Sequence, residues 1–123
     1  MYKEDYIMRI IHEMVRTMLK LLFNIDEYKE EIQIPDPVVD KKCKLLYQLA
    51  DSGHINEAEN QLFEELDTAD LNQFEMGLLF FDYINNFTDE ELEQADYTRE
   101  EINEGLKELV KEYGYESLGE ALI

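Results

Sequence analysis

From Glu4 to Ile25 apolar residues return every three or four positions. Ile7, Ile11, Met14, Met18, Leu21 and Ile25 trace one stripe, and Ile10, Val15, Leu19 and Leu22 widen it. The spacing predicts a helix whose only clear polar strip is Arg9, Glu13, Arg16, Lys20 and Asn24. A helix apolar over most of its circumference needs cover on more than one side. At about 1.5 Å per residue it reaches roughly 33 Å, longer than any later element. The reading is therefore that part of this helix, through Ile7, Ile11, Met14, Met18 and Leu22, packs against a second copy of the chain as a homodimer. The alternative is a central helix in a monomeric bundle.

Charge-rich Asp26 to Gln33 either prolongs this helix or forms a short turn, and Ile34-Pro35-Asp36-Pro37 then interrupts it. Asp36 can cap a new helix and Pro37 can occupy its first position. That helix should run to Ser52 with Val38, Val39, Cys43, Leu45, Leu46 and Leu49 inward, and Gly53 can end it in a left-handed conformation. Asn56 with Glu59 reads as a capping box for a third helix carrying Ala58, Leu62, Phe63 and Leu66. Asp67 or Thr68 can cap a fourth, whose core is Leu71, Phe74, Leu78, Phe81 and Ile84. Two more capping boxes, Thr88 with Glu91 and Thr98 with Glu101, start a short helix to Gln94 and a longer one to Tyr113, where Gly114 can end it. Ser117 to Leu122 has room for one last turn. The expected fold is all-α: a single domain over residues 1–123, a helical bundle or repeat-like array of about six helices, organised around the hairpin Leu45–Leu66.

Within that hairpin Gly53, Ile55, Glu57, Ala58 and Leu62 resemble the second half of a tetratricopeptide repeat. The likeness spans about 22 residues, and Leu46 and Lys42 depart from the family's pattern, which has a small residue and an aromatic at those places. It implies a peptide groove along Asp40, Cys43, Tyr47 and Ala50, with Asp40 and Tyr47 as the candidate partner contacts. No carboxylate clamp is implied, because the Lys and Asn of such clamps are missing from that set. The opening Lys3 to Arg9, with Arg16 and Leu21-Leu22-Phe23, is similar to the start of a group of short acidic bacterial proteins of unassigned function. That likeness implies a helical fold and brings no catalytic residues.

Charge adds what the pattern does not. The net charge is −19, and it is unevenly placed: residues 51–104 hold 17 acidic residues and one basic, whereas residues 1–50 hold 9 and 8. Such a surface repels phosphate and anionic lipid, so neither nucleic acid nor membrane is an expected direct partner. It can instead attract a basic protein, nucleic-acid mimicry included, or serve solubility alone. The longest apolar run, Gly77 to Phe81, is too short to span a bilayer, and no signal peptide is apparent at the N-terminus. The single cysteine, Cys43, suits a reducing cytoplasm.

Chemistry-bearing motifs are few. His12-Glu13 opens like a zinc-protease helix, but Arg16 stands where the second histidine belongs. Asp51-Ser52-Gly53-His54 reads as a polar turn, and Asp89, Glu90, Glu91 and Glu93 as helix-start charges without the ordered ligand positions of a calcium loop. Cys43 reads as buried and inert. Tyr83, Tyr97, Tyr113 and Tyr115 are expected to line a late helical interface. No catalytic, cofactor or metal residues are assigned. The expectation is a non-enzymatic protein-interaction or self-association module, set against a carboxylate-based metal- or ligand-binding bundle.

Overall fold

The computed structural model describes residues 2–26 and 32–118. Six α-helices follow one another: α1 (Tyr2–Phe23), α2 (Pro37–Asp51), α3 (Ile55–Glu64), α4 (Leu71–Asn85), α5 (Asp89–Gln94) and α6 (Arg99–Glu112). The backbone is helical again at 116–118, and there is no strand among the described residues. The fold is therefore all-α with a long first helix. Most of the Asp26–Gln33 connection and the end of the expected last turn lie outside the described residues.

Local chemistry sets most boundaries where the sequence puts them. Asp36 Oδ1 accepts from the Val38 and Val39 amides with Pro37 at the first helical position. Both late capping boxes are complete, Thr88 with Glu91 and Thr98 with Glu101. After α2, Gly53 takes φ 86° while its amide bonds Ala50 O and the His54 amide bonds Leu49 O. This six-to-one, five-to-two pairing is the Schellman arrangement. It recurs after α6 at Gly114, and after α5 with Asp96 in the left-handed position at φ 54°. Asn24, read as part of the polar strip, instead ends α1 at φ 57°.

Two caps differ from expectation. α3 starts at Ile55 with His54 as N-cap, so Asn56 sits inside the first turn and its side-chain Nδ2 donates to Asp96 O. α4 starts later than expected, capped by Asp70, whose carboxylate accepts from the Asn72 amide.

Packing centres on α4, not on α1 or the 45–66 hairpin. Residues Phe74 to Asp82 are buried without interruption, followed by Ile84 and Asn85, and α4 packs against α1, α2 and α6. The spacing predicts one inward face for α4; Met76, Leu79 and Phe80 are buried outside that face, as befits an enclosed helix. Leu71, counted inward, is exposed. On α2 the inward face is Val39, Cys43, Leu46 and Ala50, while Val38 and Leu45 point to solvent at 76% and 50% exposure.

Close approach of α4 and α6 depends on two glycines in opposite helices. A Cβ on Gly77 would lie 2.5 Å from Leu109 Cδ2, and one on Gly105 would lie 2.6 Å from Phe81 Cε1 and 2.5 Å from Glu59 Oε2. Leu109 of α6 thus fills the space beside Gly77 of α4, and Phe81 of α4 fills the space beside Gly105 of α6. Each glycine costs about 1 kcal/mol of helix propensity, which the packing offsets.

Gly77→Ala and Gly105→Ala are expected to destabilise the protein by about 1–2 kcal/mol each, net of the propensity gain. Urea unfolding followed by circular dichroism checks this; neutral or stabilising effects at both positions would refute the interlock.

Candidate functional site

The self-association residues read from the sequence do not form a surface. Ile11, Met14 and Met18 are completely or almost completely buried in the core with Val15 and Leu19, and Ile7 and Leu22 pack half-buried against it. The cover comes from α4 and α6 of the same chain, both of which pack against α1. The middle of the stripe is thus covered internally, while Ile7, Ile10, Leu22 and Ile25 stay partly accessible. Leu21, placed in the stripe, is exposed instead, 58% accessible.

The tetratricopeptide-type groove is closed as well. α2 and α3 do pair as a helical hairpin and Ala58 is buried, but α4 lies against α2. Cys43 and Ala50 are buried, and Tyr47 stacks on Tyr83 of α4 with ring centroids 4.0 Å apart. Asp40 is tied down locally, accepting from the Ile34 amide at 2.9 Å and pairing with Lys44 at 2.7 Å. The Lys44 hydrogen bond, then the Ile34 amide, hold the Asp40 carboxyl below its ordinary range. Burial pushes the Cys43 thiol up to about 11, the state of an inert side chain rather than a nucleophile.

The polar groups that matter most structurally were missed in the sequence. Asp82 is buried on α4 at 3% side-chain exposure and meets half-exposed His12 of α1, Oδ1 to Nδ1 3.1 Å. Asn85 donates to Met8 O at 2.9 Å, joining α4 to α1. Arg99, buried at the start of α6, donates at 2.6 Å to the carbonyls of Asn85 and Phe87 and pairs with Asp89 at 3.1 Å. A guanidinium thus closes the carbonyl end of α4, where unpaired acceptors and the helix dipole favour a cation. Glu75 is the remaining buried carboxylate on α4, and burial, then nearby Asp40, pushes it up from its ordinary range. The signal available in the sequence was the presence of Glu75, Asp82 and Asn85 within an otherwise apolar helix.

The tyrosines divide instead of forming one interface. Tyr113 and Tyr115 both stack on Phe74, at 4.5 and 5.5 Å, with the Tyr113 hydroxyl placed to donate to the Asp67 and Asp70 carbonyls. Tyr83 donates to Asp51 Oδ1 at 2.7 Å. Tyr97 is buried, its hydroxyl pushed up by burial and by the nearby Glu59 carboxylate.

What remains open to solvent is the acidic side. Arg99 is the only lysine or arginine between residues 51 and 104 and it is buried, whereas Asp51, Glu57, Glu64, Glu90, Glu93, Glu100 and Glu104 are exposed. The exposed surface of that stretch therefore carries no lysine or arginine. Among the described residues no group of three or more His, Cys, Asp or Glu gathers as a metal ion would require, and no helix is long and apolar enough to cross a membrane.

A family model described as a family of unknown function, DUF6483, matches residues 1–114, and the chain belongs to that family. No curated protein and no solved structure matches it.

Arg99→Met should cost about 2–4 kcal/mol, because the α4 carbonyls lose their charged donor, and Arg99→Lys should recover only part of it; chemical denaturation of the two variants decides. For Glu75 the folded state holds a proton more tightly than the unfolded chain, so its contribution to stability falls as pH rises above about 4.5. Glu75→Gln should raise the thermal midpoint by a few degrees at pH 7 and leave a smaller gain at pH 5, as scanning calorimetry can show.

Proposed function

We propose that this protein is a non-enzymatic binding module that takes a basic partner protein on its acidic side, built from α3, α5 and α6. The supporting observation is the sign of the exposed charge: a run of carboxylates across residues 51–104 whose single arginine, with no lysine beside it, is turned inward. Lys107 and Lys111 are exposed on α6, yet carboxylates outnumber them, and such an excess costs folding stability through self-repulsion, which α4 and its cover must overcome. A complementary basic surface relieves that repulsion on binding and speeds encounter. Phosphate backbones and anionic membranes meet repulsion from the same surface, so neither is proposed as a direct partner. Homodimerisation through Ile7, Ile11, Met14, Met18 and Leu22 is not proposed, because those side chains already serve the core.

The repeat-like face of α2 does not serve as the docking site in this reading, since α4 covers it. A buried lone thiol suits a reducing compartment, and the cytoplasm is the proposed location.

A basic protein or Arg/Lys-rich peptide should bind at low ionic strength and lose about tenfold or more in affinity between roughly 50 and 500 mM salt. Titration calorimetry at the two salt concentrations tests this. Absence of binding at low salt, or binding that ignores salt, would overturn the electrostatic reading.

A further inference from the structure

Between the α2–α3 turn and α5 lies a notch of about 320 Å³, lined among others by Asp51, Gly53, Phe87, Glu91 and Gln94. Its walls come largely from helix C-termini. Asp51 is the last residue of α2 and Gly53 follows it, Gln94 is the last residue of α5, and Phe87 lies two residues past the end of α4. Helix C-termini carry partial negative charge; the α4 end is already bonded by Arg99, so the poles left to this space are those of α2 and α5. The protein itself supplies the precedent at α4, where the Arg99 guanidinium bonds the Asn85 and Phe87 carbonyls at 2.6 Å.

Two carboxylates add full charge and are held in place. Asp51 Oδ1 accepts from the Tyr83 hydroxyl at 2.7 Å, and Glu91 Oε1 accepts from the Thr88 amide at 2.8 Å within its capping box. The second oxygen of each has no protein partner among the described residues. Burial first, then Asp51 and to a smaller degree Glu91, push the Tyr83 hydroxyl up to about 12, so both charges are felt at that hydroxyl. Phe87, edge-on to Tyr83 at 5.6 Å, supplies an aromatic wall. A divalent ion prefers oxygen donors on all sides. An aromatic ring beside two anchored carboxylates suits a planar organic cation. The volume is at the small end of ligand pockets, room for one long side chain.

We propose that this notch receives the guanidinium of an arginine carried by a basic segment of the partner protein, an inference that rests on the binding reading above. The Asp51 and Glu91 oxygens take its N–H groups, and Phe87 stacks against its plane.

The test uses the full chain and two nine-residue probes, one with arginine and one with lysine as its only cations, at low salt. Asp51→Asn with Glu91→Gln keeps the Tyr83 and Thr88 hydrogen bonds but removes both charges. Glu64→Gln with Glu108→Gln removes two exposed charges elsewhere. The notch pair should weaken arginine-probe binding about tenfold and the control pair about twofold or less. In amide NMR spectra the arginine probe should shift Gly53, Phe87 and Gln94 most. Equal losses from the two pairs, diffuse shifts, or a lysine probe that binds as tightly would overturn the notch while leaving salt-dependent binding intact. Failure of both probes to bind the unaltered protein would remove the binding reading as well.

Discussion

Everything in this fold follows from enclosing α4. A helix carrying Phe74, Met76, Leu78, Leu79, Phe80, Phe81 and Ile84 has no face that prefers water, so its neighbours must surround it. Surrounding it closely enough requires Gly77 and Gly105, each admitting a bulky side chain from the opposite helix. Once α4 is central, α1 has an internal use for its broad stripe, and the inner side of α2 meets α4 before any partner can. The polar residues on α4 are then obliged to find partners within the protein: Asp82 takes His12, Asn85 takes the Met8 carbonyl, and Arg99 reaches down to the helix end.

The sequence was legible wherever local chemistry decides. Asp36-Pro37, Gly53, Thr88 with Glu91 and Thr98 with Glu101 each carry their own hydrogen-bonding logic, and each acts as its residue type suggests. Asn56 and Thr68 failed as caps because a nearby alternative won: a Schellman turn delivered the chain directly into α3 at Ile55, and Asp70 lay closer to the apolar start of α4. The site was less legible, since periodicity measures how apolar a helix is and not which chain covers it. α1 offers the plainest case. Its stripe was read correctly as needing cover on more than one side, but an intrachain cover and a dimer partner leave the same pattern in the sequence.

Arg99 marks a second limit. In the sequence it is a lone base among carboxylates and invites a surface ion pair. In the fold it is buried, and its strongest bonds go to backbone carbonyls instead of to Asp89, whose own side chain is largely exposed. Nothing in a linear pattern says that a helix end two segments upstream needs a donor. The consequence reaches the surface, because burying Arg99 leaves the exposed part of residues 51–104 with no lysine or arginine of its own.

That arrangement bears on why the surface can attract a cation without collapsing onto one of its own. Lys42, Lys44, Lys107 and Lys111 flank the acidic stretch in sequence, but Lys42 pairs with Glu65 and Lys44 with Asp40. The notch carboxylates are held instead by neutral donors, a tyrosine hydroxyl and a backbone amide, which orient them without discharging them. A carboxylate fixed in this way loses little entropy when a cation arrives, whereas an exposed one paired with a flexible lysine must first release it. Asp51 and Glu91 share this orientation by uncharged donors with Asp67, Asp70 and Glu101. What singles them out is that both line the same notch beside Phe87, so that helix C-termini, not net charge alone, select where a basic segment settles.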